Sequence, residues 1–237
     1  MIEIFTVENI VALLTLTALE IVLGIDNVVF IAILAGKLPK EQQQKARQVG
    51  LALALISRLG LLMMISWIMH LTQPLFEVVG KGFSGRDIIL LAGGLFLIGK
   101  ATYEIHHKIE STGEEHQSAP SHPSFFSTVM QIMVIDIVFS LDSVITAVGM
   151  AKHLWVMVTA VIISIGVMLL FAGKISSFIE KHPTFKVLAL SFLLLIGVML
   201  MVEGLGEHFN KGYIYFAMGF SLFVEMINMR IRPAKSA

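Results

Sequence analysis

The chain has 237 residues, 56% of them hydrophobic and 14% charged, and its 17 basic residues balance its 17 acids. Soluble domains average about 45–50% apolar and about 25% charged, so a water-soluble globule is excluded and a polytopic membrane protein is indicated. Zero net charge leaves no basic footprint for nucleic acid, and the lack of cysteine excludes disulfides and thiolate metal sites.

About twenty apolar residues cross the roughly 30 Å hydrocarbon core as a helix. Seven segments qualify: 10–34, 49–70, 88–104, 125–149, 154–178, 187–206 and 212–230. The runs are long and continuous rather than alternating, which argues against strands. The predicted fold class is therefore all-α, one transmembrane domain over residues 1–237. The stretch before the first segment holds Glu3 and Glu8 and no Lys or Arg. It lacks the basic region of a cleavable signal peptide, so the first segment reads as a permanent helix. The hydrophilic stretch 105–124 follows the third segment. It holds His106, His107, His116 and His122 with Glu110, Glu114 and Glu115, next to Glu104, and Pro120 and Pro123 mark its end. Imidazoles and carboxylates are metal ligands, but this spacing fits no closed site, and the stretch reads as a solvated linker.

Basic residues set the orientation. One side of the predicted bilayer holds Lys37, Lys40, Lys45, Arg47, Lys108, Lys174, Lys181, Lys186, Arg230, Arg232 and Lys235. The other holds Lys81, Arg86, Lys152 and Lys211. The bias places the N-terminus outside and the C-terminus in the cytoplasm. Arg58 and Lys100 fall inside segments, and Lys100 is close enough to an end to snorkel. Glu203, at the outer end of the sixth segment, is expected to face water.

One nine-residue pattern occurs twice. Glu20-Ile21-Val22-Leu23-Gly24-Ile25-Asp26-Asn27-Val28 in the first segment matches Asp136-Ile137-Val138-Phe139-Ser140-Leu141-Asp142-Ser143-Val144 in the fourth. The copies are offset by three segments, an odd number, so they cross the membrane in opposite senses. Weaker echoes set Arg58-Leu59-Gly60 against Ser164-Ile165-Gly166, and Leu97-Ile98-Gly99 against Leu195-Ile196-Gly197. The reading is two inverted three-helix repeats, 10–104 and 125–206, plus a final helix at 212–230. Inverted repeats with a midplane site are a transporter signature.

An Asp at a helix centre costs roughly 2.5–3.5 kcal/mol to insert. Four unpaired acids (Glu20, Asp26, Asp136, Asp142) would cost on the order of 10 kcal/mol. They must be neutralised by protons, a cation or a base. Glu20, Gly24 and Asn27 share one helical stripe, and Asp136, Ser140 and Ser143 share the equivalent one. Asp26 and Asp142 sit about 100° away. Two arrangements bring them into one oxygen cage: unwinding of the first helix near Gly24, or facing a neighbouring helix. Carboxylate, amide and hydroxyl oxygens suit hard divalent cations such as Mg²⁺, Ca²⁺ and Mn²⁺. Asn27, Ser140 and Ser143 can also simply bond helices together. Arg58, the one strong base deep in the membrane, either neutralises an acid or is a cation displaced when metal binds.

At these residues, continued through Phe30 and Ala147, the chain resembles the TerC family of integral membrane proteins, in its short form without appended soluble domains. Gly212-Tyr213-Ile214-Tyr215-Phe216-Ala217 resembles the opening of that family's last helix. The resemblance implies a seven-helix inverted-repeat fold and a link to manganese efflux. It makes Glu20, Asp26, Asn27, Asp136, Asp142 and Ser143 metal-site candidates, with Gly24, Arg58 and Ser140 in support. The expectation is an inner-membrane exporter of Mn²⁺, held as substrate rather than as a resident cofactor, with protons as coupling ion. The rivals are a transporter of another solute such as Ca²⁺, and a non-transporting protein that assembles with partners. No hydrolase or phosphate-loop motif points to an enzyme.

Overall fold

The computed structural model describes residues 6–78, 80–110, 123–207 and 210–231. Among these, the side chains of Asp26, Val78, Lys108, Ile109 and Glu110 are outside the described set, as are His116, His122, Glu114 and Glu115 altogether. The order is α1 (Val7–Ala35), α2 (Lys40–Met63), α3 (Ile65–Leu71), β1 (Pro74–Val78), β2 (Lys81–Ser84), α4 (Gly85–Glu110), α5 (Phe125–Met150), α6 (Leu154–Lys181), α7 (Pro183–Gly204) and α8 (Lys211–Ile231). Seven of these helices are long and apolar enough to span a bilayer. The shortest of them, α8, has 21 residues, which at about 1.5 Å each reach about 31 Å. The chain is an all-α polytopic membrane protein.

Local chemistry sets the helix ends. Thr6 caps α1 by accepting from Asn9 N at 3.2 Å, and Ser124 caps α5 by accepting from Ser127 N at 3.1 Å. Ser84 and Asp87 form a reciprocal cap at the start of α4: Ser84 N donates to Asp87 Oδ2 at 2.8 Å and Asp87 N donates to Ser84 Oγ at 3.2 Å. Pro183 opens α7, where its missing N–H has no partner to lose.

Three boundaries differ from the sequence reading. α2 begins at Lys40, because Lys40–Gln48 are good helix formers that simply continue into water. It stops at Met63, and a short α3 follows. A two-stranded antiparallel hairpin then occupies 74–84, where no strand was expected. Its turn uses Gly80 at φ +75°, which a side chain would disfavour. Finally, α4 runs on to Glu110, so His106 and His107 lie on a helix rather than in a loop.

α1, α2, α5 and α6 form a central group, with α1 packed chiefly on α6 and α2 on α5. Exchanging α1 with α5 and α2 with α6 interchanges those two contacts. α4 and α7 pair with each other beside this group, the most extensive helix contact in the fold. Their crossing is reciprocal. A Cβ added at Gly94 would lie 2.6 Å from Gly197 O and 2.8 Å from Met201. One added at Gly197 would lie 3.0 Å from Gly94 O and 2.9 Å from Ile98. Bare backbones therefore meet at the pair Gly94–Gly197, as small residues allow in bilayers. Gly99, which the sequence echo matched to Gly197, faces open space. α8 packs mainly on α7, and Met218 is its one buried residue.

Candidate functional site

The stripes seen in the sequence are buried. Glu20 is 2% exposed and Asp136 3%, each near the midpoint of its helix. They meet across Arg58 of α2, itself 2% exposed. Arg58 Nη1 is paired with Glu20 Oε2, and Nη2 with Asp136 Oδ1 at 3.2 Å. The Ser57 and Ser140 hydroxyls lie 3.0 and 3.2 Å from the other carboxylate oxygen of Asp136. One guanidinium thus bridges the matched acids of the two sequence copies. Formally two negative charges face one positive charge, leaving one negative charge over. Breaking such a buried pair is far more costly than its net contribution to stability.

Further along α1, the side-chain oxygen of Asn27 is buried with no hydrogen-bond partner among the described residues, and so is the Thr17 hydroxyl. Thr17, Glu20, Gly24 and Asn27 fall on one face, spaced three, four and three residues apart. A buried orphan oxygen costs about 1–3 kcal/mol. Such unpaired buried oxygens are rare in folded proteins. Ser143, the partner of Asn27 in the second copy, instead donates to Ser140 O at 3.3 Å.

Two sequence expectations are corrected. α1 does not unwind at Gly24: the helix is continuous from Val7 to Ala35. Gly24 faces Met168 of α6, whose methyl carbon lies 2.1 Å from where a Cβ would stand, so the glycine admits a close neighbour. Glu203 does not face water. It is 8% exposed and belongs to a second charged cluster.

That second cluster holds Asp142 away from the triad. Arg86 Nη2 lies 2.6 Å from Asp142 Oδ1 and 2.9 Å from Glu203 Oε1. Lys211 Nζ lies 2.5 Å from Asp142 Oδ2 and 3.2 Å from Glu203 Oε2. Asp87 stands 3.8 Å from Arg86 Nη1. α4, α5, α7 and α8 are tied together at this end. At the opposite end Glu104 is paired with Lys37 and, at 3.1 Å, with Lys100. Lys100 therefore ends on a carboxylate. No three metal-ligating carboxylates or imidazoles converge among the described residues. The side chain of Asp26 lies outside them.

Sequence reasoning counted Arg86 and Lys211 only as topology markers, and passed over Ser57 and Thr17. Thr17 was findable, since it continues the Glu20 stripe one turn back. Arg86 and Lys211 carry no local signal for their partners, because α4 and α8 supply them from far along the chain.

The family model described as integral membrane protein TerC family matches residues 5–236. A protein named UPF0053 protein from Haemophilus influenzae is 55% identical over 222 residues, covering 94% of each chain. The Escherichia coli UPF0053 inner membrane protein YgdQ is 53% identical over 225 residues, covering 95% of this chain and 94% of its own. The UPF0053 inner membrane protein YoaE of Escherichia coli is 56% identical over 220 residues, and there the match spans 42% of the relative's length. No solved structure matches the chain. Matched almost end to end by the family model, the chain belongs to the TerC family of integral membrane proteins.

Proposed function

We propose that the chain is a secondary transporter that exports a hard divalent cation, Mn²⁺ foremost, across a bacterial-type inner membrane, and that protons move the other way. The observation that carries this reading is the Glu20–Arg58–Asp136 triad at mid-membrane, where two acids share one base. In this arrangement Arg58 is the resident counter-cation. A divalent ion with the same oxygens available takes its place, and Asn27 offers a further oxygen that lacks a partner. Hard oxygen donors of this kind suit Mn²⁺, Mg²⁺ and Ca²⁺. Protons discharge the same carboxylates when metal leaves, which couples the two flows.

The clusters at the two ends fit alternating access. Asp142, Arg86, Glu203 and Lys211 close one mouth, and Lys37, Lys100 and Glu104 the other. Asp142 then serves the outer closure rather than the central site. The positive-inside bias places that cluster outside, with the C-terminus in the cytoplasm. Two relatives carry "inner membrane" in their names, in keeping with that location.

The test is Mn²⁺ flux into proteoliposomes under an imposed pH gradient, beside Glu20→Gln and Asp136→Asn. Gradient-driven flux lost in both variants supports the reading. Equal flux in wild type and both variants rejects the site, and Ca²⁺ outcompeting Mn²⁺ reassigns the substrate.

A further inference from the structure

A cleft of about 430 Å³ opens between α2 and α6, well away from the triad. Its polar rim is Gln44, Arg47 and Gln48 of α2 with Lys174 and Ser177 of α6, and its floor includes Leu51, Leu169 and Leu170. Two cations and no carboxylate line it. The Arg47 guanidinium donates to the Ser176 hydroxyl at 3.0 Å, so its partner is neutral. The hydroxyl of Ser176 in turn lies 3.3 Å from Glu180 Oε1, and Glu180 does not line the cleft. Four other buried or half-buried cations, Arg58, Arg86, Lys37 and Lys211, sit directly on carboxylates.

The floor has the opposite character. Leu170 is 76% exposed and Leu169 is exposed as well, which for a spanning helix means contact with acyl chains. The level is also defined. Arg47 stands just before the apolar run that begins at residue 49, and its bond to Ser176 puts the same stretch of α6 at that depth. Charge and apolarity therefore meet at the membrane boundary in the order they take in a phospholipid, phosphate outward and chain inward.

We propose that this cleft binds an anionic phospholipid, with its phosphate between Arg47 and Lys174, Gln44 and Gln48 donating to the headgroup, and one acyl chain lying over Leu169 and Leu170. Basic pockets between spanning helices are suited to anionic headgroups. An occupant here bridges α2 to α6, so it holds together the helix that carries Arg58 and the helix that packs on α1.

The experiment uses the full chain purified in detergent, stripped of lipid and offered equal phosphatidylglycerol and phosphatidylcholine, with bound lipid read by native mass spectrometry. Wild type retains phosphatidylglycerol preferentially. Arg47→Gln and Lys174→Gln each lower that preference about fivefold, and the pair about 30-fold, at about 1 kcal/mol per cation near the surface. Arg47→Lys and Lys174→Arg keep it, as does Lys45→Gln, a cation on the same helix outside the cleft. Lys174 is exposed, so its variants report even if Arg47→Gln misfolds. Equal retention of the two lipids, or retention unchanged in the double variant, overturns the proposal. Binding of inorganic phosphate alone that displaces the lipid also overturns it, and makes the cleft a soluble-anion site.

Discussion

Arg58→Gln removes the one base that faces Glu20 and Asp136. Both acids stay at mid-membrane with no more than 3% exposure, and neither has another cation within reach among the described residues. Removing one partner of a buried pair typically costs about 3–5 kcal/mol, because a charge is left uncompensated. For a chain of 150–250 residues each kcal/mol lowers Tm by about 2–4 °C, so Tm should fall by about 6–20 °C. Thermal unfolding in detergent, followed by circular dichroism, reads this directly. The triple variant Glu20→Gln, Arg58→Gln, Asp136→Asn should recover most of the loss, since neutralising a whole buried ion cluster is often neutral or stabilising. An Arg58→Gln protein within about 2 °C of wild type, given that slope, would refute the account of the triad. So would a triple variant as unstable as the single one.

Asn27→Leu should leave Tm unchanged or raised, because it removes a buried oxygen that costs about 1–3 kcal/mol, while Mn²⁺ flux in proteoliposomes falls; a drop in Tm would show that Asn27 is structural glue. Gly94→Ala drives a methyl group onto the Gly197 carbonyl 2.6 Å away, where backbone cannot yield, so unfolding should report a loss of about 1–3 kcal/mol. Gly24→Ala meets only the end of Met168 and should cost less in the same assay. Asp142→Asn weakens the cluster of Arg86, Glu203 and Lys211 around it. The chain has no native cysteine, so Ala147→Cys is a clean reporter, and its labelling by an impermeant thiol reagent should rise about tenfold or more, a charged hydrogen bond being worth about 1.5–3 kcal/mol.

The spans were legible because an apolar run of this length has one structural use. The start of α2 was not, since Lys40–Gln48 is polar and hydropathy cannot tell a helix in water from a loop. The hairpin at 74–84 escaped because each strand has at most five residues, too few for a period to declare itself. In the site, the repeated signature marked Glu20 and Asp136, and helical spacing put the stripes Glu20–Gly24–Asn27 and Asp136–Ser140–Ser143 on buried faces. Arg58 was visible as a lone base, yet nothing in one dimension said that it serves both acids. Asp142 lies six residues from Asp136, on another face of α5, and its partners come from α4, α7 and α8. That separation depends on packing, as does the burial of Glu203, whose neighbour Gly204 stands 2.8 Å, at its would-be Cβ, from the backbone of Asp87 in α4.

The central claim is that Glu20 and Asp136 form a cation site that Arg58 occupies until metal displaces it. Mn²⁺ binding to the purified chain, followed by loss of the free-ion paramagnetic resonance signal, tests it most directly. The account predicts one saturable site, lost in Glu20→Gln and in Asp136→Asn and tighter in Arg58→Gln, where the competing cation is gone. Binding that survives both acid variants, or that disappears with Arg58, would contradict it.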